Sequence, residues 1–185
     1  MRSQSLSVYL NQTVWRRVAA IVVFAAVTAL AARVTIHLPF TPVPITMQPL
    51  AVVLAGLVLG AWGGALAQLS YLGLITAGLP LDANGFGPVV FFGPTAGYLI
   101  GFAPAAFVAG WLAERLAARN WWGNFVAALT GMLVLYLVGA SWLAVLLGSW
   151  QQAWLAGVAP FILLDLAKAA IAAGVTESGK LFFRQ

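Results

Sequence analysis

Apolar residues run almost unbroken through 18–34, 94–113, 121–147 and about 160–178. Each run is close to the roughly 20 residues, with a range of about 17–25, that carry a helix across a bilayer. The stretch LAVVLAGLVLGAWGGALAQLSYLGLITAGL, 50–79, is too long for one such helix and just long enough for two short ones broken at GAWGG, 60–64. Glycines at 60, 63 and 64 suit a tight turn better than a helix interior. Small residues also recur at four-residue spacing: Ala25 and Ala29 in span 1, Gly56 and Gly60 in span 2, Gly93, Gly97 and Gly101 at the start of span 4. Such ridges let helix backbones approach closely in lipid. Packing within the chain is expected for the ridges of spans 2 and 4, and the Ala25/Ala29 face is the candidate docking face for a partner protein.

Composition removes the soluble alternative. Hydrophobic residues make up 63% of the 185 and charged residues 7%, against roughly half and one-quarter in a soluble domain. Mean hydropathy is +0.98. Lipid must therefore be the solvent for much of the surface. The expected fold is an all-α integral membrane protein forming a single membrane domain, 1–185. It comprises an N-terminal segment 1–17, a bundle 18–178 and a tail 179–185. The absence of cysteine excludes disulfides, thiol nucleophiles and thiolate metal sites.

Charge decides the number of spans. With six, both termini lie on one side, and Arg2, Arg16, Arg17, Arg115, Arg119, Lys180 and Arg184 all fall there, leaving Arg33 opposite. With five, the termini separate, and even the better orientation leaves Arg2, Arg16 and Arg17 on the wrong side. Lys/Arg bias toward the cytoplasm sets orientation, so six transmembrane helices with both termini cytoplasmic are expected. Tryptophans agree. Trp15, Trp62, Trp111, Trp121 and Trp122 fall at the inner interface and Trp150 and Trp154 at the outer one, where indole rings favour the headgroup level. The net charge of +5 is thus a matter of topology, not of nucleic-acid binding. Arg16-Arg17, the apolar run and ALA at 29–31 loosely mimic a secretory signal, but many first membrane helices look this way, and the spans that follow make the distinction matter little.

Two connections fall outside. The first, RVTIHLPFTPVPITMQP (33–49), has prolines at 39, 42, 44 and 49, so it should be extended, stiff and too long for a bare hairpin. His37 within it reads as a surface residue, since a metal site would need partners that the chain lacks. The second, GLPLDANGFGPVVFFGPT (78–95), has a turn-forming Asn84-Gly85 and then Gly93-Pro94-Thr95 opening span 4. Free backbone N–H groups at that helix start are candidates for a ligand's negative charge.

Span 6, FILLDLAKAAIAAG, holds Asp165 and Lys168 three residues apart and therefore on one helix face. Phe161, Ala172 and Thr176 extend that face, whereas Leu163, Leu164 and Leu166 lie off it. A charge in a span costs about 2.5–3.5 kcal/mol on insertion scales and faces the bundle interior. The plain alternative is a buried ion pair tying span 6 to a neighbour. A membrane enzyme is disfavoured: the span region has one carboxylate, one amine, the hydroxyls of Ser70 and Ser141 and no nearby histidine.

TPVPITMQPLAVVLAGLVLGAWGG, then GLP…GPTAGYLIGF, then PFILLDLAK, in this order over roughly residues 18–180, resemble the BioY family of biotin-binding S components of energy-coupling-factor (ECF) vitamin transporters. The resemblance implies a six-helix S-component bundle in a bacterial or archaeal cytoplasmic membrane, with no cofactor. It implies a biotin site opening to the outside beneath the first outer loop. It implies partnership with a transmembrane coupling protein and two ATPases, or a homo-oligomer where the chain works alone. An S component for another vitamin and a self-sufficient secondary transporter are the alternatives. No phosphate-binding loop ending in Lys-Ser/Thr is present, so ATP hydrolysis would fall to the partners. Leu81-Asp82 departs from the Val-Phe-type pair usual after GLP. Biotin offers two N–H donors, one carbonyl, an apolar bicycle and chain, and a carboxylate. A site for it needs an acceptor, a donor, apolar walls and a cation. The resemblance supports Asp165, Lys168 and Asn84 as contacts. Gln48, Tyr71 and Tyr98 are further candidates as polar or aromatic residues near the outer ends of spans 2–4.

Overall fold

The computed structural model describes residues 2–116 and 120–183, with side chains over 14–116 and 120–179. Arg119 and Arg184 lie outside the described residues, as do the side chains of Arg2 and Lys180. The elements run α1 (Arg2–Ala31), β1 (Thr35–Ile36), β2 (Ile45–Thr46), α2 (Gln48–Thr76), a 3-10 helix (Gly87–Phe92), α3 (Ala96–Arg115), α4 (Trp121–Leu147), α5 (Trp150–Gly157) and α6 (Ile162–Phe183). Among the described residues, Val14–Ala31, α2, α3 and α4 are each long and apolar enough to cross a membrane. The α5–α6 pair, bent by 52°, adds a fifth if it counts as one broken span.

The second helix is not straight. Gly60 has φ 78° and ψ 179°, a non-helical conformation that only glycine adopts readily. At this point the chain doubles back. Gln48 Nε2 donates to Tyr71 Oη at 2.8 Å, two groups that a straight helix would hold about 35 Å apart. Gly64 lies so close to Gly56 that a Cβ on it would come within 2.6 Å of the Gly56 Cα. The two arms, 48–59 and 61–76, therefore run side by side. The second arm starts with its Ala61 N–H donating to Glu114 Oε1 of α3 at 3.0 Å, which satisfies one of the orphan donors of a helix start.

Backbone-to-backbone packing holds the centre. Gly110 of α3 sits in the crook of the reversal, where a Cβ would come 2.5 Å from both Ala61 N and Gly60 C. Gly97 and Gly101 press on Trp142, Leu135 and Val138 of α4. These ridges are used within the chain, as expected. In lipid no hydrophobic force draws helices together, so such close approach supplies the attraction.

Ala25 is only 2% exposed and belongs to the same buried cluster as Val52 and Tyr71, with Ala29 half-buried against it. Ala25 is therefore turned into the chain and is not free to dock, whereas Ala29 stays partly exposed. Small side chains there let α1 lie close on α2. Val18, Val22, Val23, Val27 and Leu30 are among the exposed residues of α1 instead.

The two ends of the bundle differ. At one, Arg16, Arg17, the Gly60 reversal and Glu114 gather. At the other, the loops are tied together. Arg33 donates to Pro80 O, His37 Nε2 is 2.8 Å from Asn84 Oδ1, and Thr41 Oγ1 donates to Ala156 O at 2.5 Å. The first loop is a minimal hairpin, with Thr35 opposite Thr46 and Ile36 opposite Ile45, rather than purely extended chain. The short α5 was not expected.

Candidate ligand-binding site

A cavity lies beneath the tied loops. Val43, Pro44 and Thr46 of the first loop line it, as do Asp82 and Asn84 of the second, Gln48 of α2, Tyr98 of α3, Tyr136 of α4, and Phe161, Asp165 and Lys168 of α6. Five of the six ligand candidates thus share one cavity.

The α6 face forms as its periodicity dictates. Phe161, Asp165, Lys168, Ala172 and Thr176 are buried, while Leu163, Leu164 and Leu166 are exposed. The helix begins at Ile162, so Asp165 lies in its first turn, a position that favours a carboxylate. Lys168 Nζ sits 2.6 Å from Asp165 Oδ1. The other oxygen, Oδ2, accepts from Tyr136 Oη at 2.5 Å. The carboxylate is thus engaged on both oxygens, whereas an ammonium carries three donors and Asp165 takes one. The pair is buried, with apolar walls from Val90, Leu99, Phe102 and Leu135.

Gln48 is held from both sides. Its Nε2 donates to Tyr71 Oη and its backbone N–H to Thr46 Oγ1 at 3.2 Å. Tyr71 donates on to Leu81 O at 3.2 Å. Tyr71 is fully buried and does not line the cavity, so the structure does not bring it together with the other five candidates. It stands behind Gln48, because the α2 reversal brings the two arms together at that depth. Tyr98 packs its ring on Gly139, where a Cβ would meet it at 2.3 Å, and donates to Gly157 O at 2.8 Å. It is a packing residue and a cavity wall at once.

The N–H groups at the start of α3 are largely used. Ala96 N–H donates to Gly93 O and Tyr98 N–H to Thr95 O, so that helix start is not the open anion site its sequence suggests. Pro94 lies ahead of the helix rather than in its first turn.

Two residues were missed. Asp82 is 1% exposed and shapes the second loop, with Oδ2 accepting from Asn84 N–H at 3.0 Å and Oδ1 from Gly87 N–H at 2.7 Å. A signal for it exists: Asp-Ala-Asn-Gly is an Asx-turn sequence, in which the side chain bonds the backbone two residues on. Tyr136 has none, since a tyrosine inside an apolar span reads as one more aromatic.

The BioY family model matches residues 2–184. A biotin transporter BioY of Rhizobium etli is 42% identical over 157 residues, covering 80% of this chain and 84% of the relative. One of Thermotoga maritima is 38% identical over 139 residues, covering 75% and 81%. The crystal structure of the S component for biotin from an ECF-type ABC transporter superposes with a TM-score of 0.84 at 26% identity, covering 92% of this chain and 93% of that one. With several helices long and apolar enough to cross a membrane and transporter relatives over four-fifths of its length, this is a multi-pass membrane protein. The chain belongs to the BioY family.

Proposed function

We propose that this chain is a biotin-binding S component that captures biotin in the cavity beneath the two tied loops. The observation that carries the reading is the buried Asp165–Lys168 pair facing an otherwise largely apolar cavity. Lys168 retains donors for the ligand's carboxylate. The amides of Gln48 and Asn84 supply donors and acceptors suited to a ureido ring, and the aromatic and aliphatic walls suit the bicycle. The likeness to an S component of an ECF-type ABC transporter supports partnership with ECF components; on our reading a coupling protein and two ATPases energise transport, and this chain performs no chemistry of its own.

The reversal at Gly60 supports counting six crossings, because it returns the chain to the side that Gln48 left. The grouping of Arg16 and Arg17 with Glu114 beside that reversal supports placing both termini in the cytoplasm, by the bias of Lys/Arg toward that side. On this reading the cavity opens outward, in a bacterial or archaeal cytoplasmic membrane.

Labelled biotin binding to the purified chain, with riboflavin and thiamine as competitors, tests the assignment. Saturable binding displaced only by unlabelled biotin is expected. Absence of saturable binding would overturn it.

A further inference from the structure

A second cleft lies far from the cavity, between α1 and the reversal of α2. Arg16, Arg17 and Ile21 form its α1 wall, Leu59 and Trp62 its α2 wall, and Glu114 reaches in from α3. Its polarity is divided. The guanidinium pair sits one turn of α1 away from Ala20 and Ile21, and apart from the arginines and Glu114 every lining residue is apolar.

Both arginines are exposed, and among the described residues neither has a salt bridge or hydrogen bond to the protein. The carboxylate in the cleft is already engaged, since Glu114 Oε1 accepts from Ala61 N–H at the start of a helical arm. Two guanidinium groups against that one carboxylate leave the cleft net positive. Trp62 is 73% exposed and stands edge-on to Phe107 at 5.0 Å, and indole rings favour the headgroup level of a bilayer. The neighbouring α1 surface, Val18, Val22 and Val23, is exposed and apolar, as a lipid-facing surface should be.

We propose that this cleft is a binding site for an anionic phospholipid. The phosphate pairs with Arg16 and Arg17, whose planar forks match phosphate oxygens. One acyl chain lies along Ile21, Leu59 and Leu66 between α1 and α2. Basic pockets between membrane helices at the cytoplasmic level hold anionic headgroups in this way. A free phosphate would satisfy the arginines and leave Ile21, Leu59 and Leu66 uncovered, so a lipid is the occupant that fits both the basic and the apolar lining. The bound lipid would brace α1 against the reversal of α2.

Native mass spectrometry of the delipidated full chain in detergent tests this, with phosphatidylglycerol, phosphatidylethanolamine of the same chain length, and inorganic phosphate as probes. Phosphatidylglycerol should be retained about tenfold better than phosphatidylethanolamine, a difference of about 1.4 kcal/mol. Arg16→Gln/Arg17→Gln should erase that preference. Ala20→Trp, which fills the cleft and keeps both charges, should lose phosphatidylglycerol as well, and it serves if the arginine variant fails to insert. Equal retention of the two lipids, or an unchanged preference in Arg16→Gln/Arg17→Gln or in Ala20→Trp, would overturn the site. Displacement of the lipid by millimolar phosphate would overturn the acyl-chain half of it.

Discussion

Tyr136 on α4 donates its hydroxyl to Asp165 on α6 at 2.5 Å. That bond completes a three-residue unit in which one carboxylate is shared by an ammonium and a phenol. Each member affects the others, which gives the cavity a testable logic.

Asp165→Leu strands the Lys168 ammonium in a buried site and should lower stability by about 3–5 kcal/mol. The double variant Asp165→Leu/Lys168→Met removes both charges and should recover most of that loss. Biotin affinity should fall by about tenfold or more in each single variant and stay low in the double. Thermal melting and labelled binding read the two effects separately. Recovery of binding in the double would reduce the pair to a packing device.

Tyr136→Phe keeps the ring and deletes one hydrogen bond to a charged group, worth about 1.5–3 kcal/mol. Biotin affinity should fall roughly tenfold while the melting temperature moves less than in Asp165→Leu. Equal affinity in Tyr136→Phe and the parent would show that the phenol does not orient the carboxylate for binding.

On the proposed reading Lys168 meets the ligand's carboxylate. The parent should prefer biotin over biotin amide, and Lys168→Met should bind the two about equally. Competition binding measures this. A preference that survives the substitution would move the carboxylate elsewhere in the cavity.

Asp82→Ala frees two backbone N–H groups, those of Asn84 and Gly87, at a cost of about 1–3 kcal/mol each if they stay buried. The second loop should become more open to protease between 82 and 87, and biotin affinity should drop with it. Limited proteolysis with and without biotin is the measurement, and a loop as resistant as the parent's would contradict the role.

Ala25→Trp should destabilise the bundle itself, since Ala25 is buried in the chain. The neighbouring Ala26→Trp, on the exposed side of α1, should melt like the parent. Thermal shift in detergent separates the two, and equal melting would return Ala25 to the free surface.

Much of this was written in local chemistry. The face of α6 follows from a period of 3.6 residues, and Asp165 and Lys168 fall on it because they are three apart. The glycine cluster at 60–64 announced a break, though only the positive φ of Gly60 says which residue makes it. The short α5 carries a legible mark, since Ser149 followed by Gln152 is the start of a capping box and the Ser149 hydroxyl accepts from Gln152 N–H at 3.3 Å. Other features were not legible. The hairpin has two residues per strand, too few for alternation to register. Tyr136 meets Asp165 through the register of α4 on α6, which no local pattern encodes. Ala25 and Ala29 showed a ridge of small residues, but spacing alone does not say which neighbour the ridge meets.

The bond from Ala61 N–H to Glu114 has a consequence for synthesis. The cap of the second arm of α2 is 53 residues further along the chain. At about 5–20 residues per second, that arm exists for roughly 3–10 s before its cap is made. During that interval the Ala61 N–H lacks the Glu114 acceptor that it has in the folded chain. The arrival of α3 supplies the carboxylate and the glycine at 110 that fits the crook. The order of emergence from the ribosome therefore makes α3 the element that locks the hairpin before it.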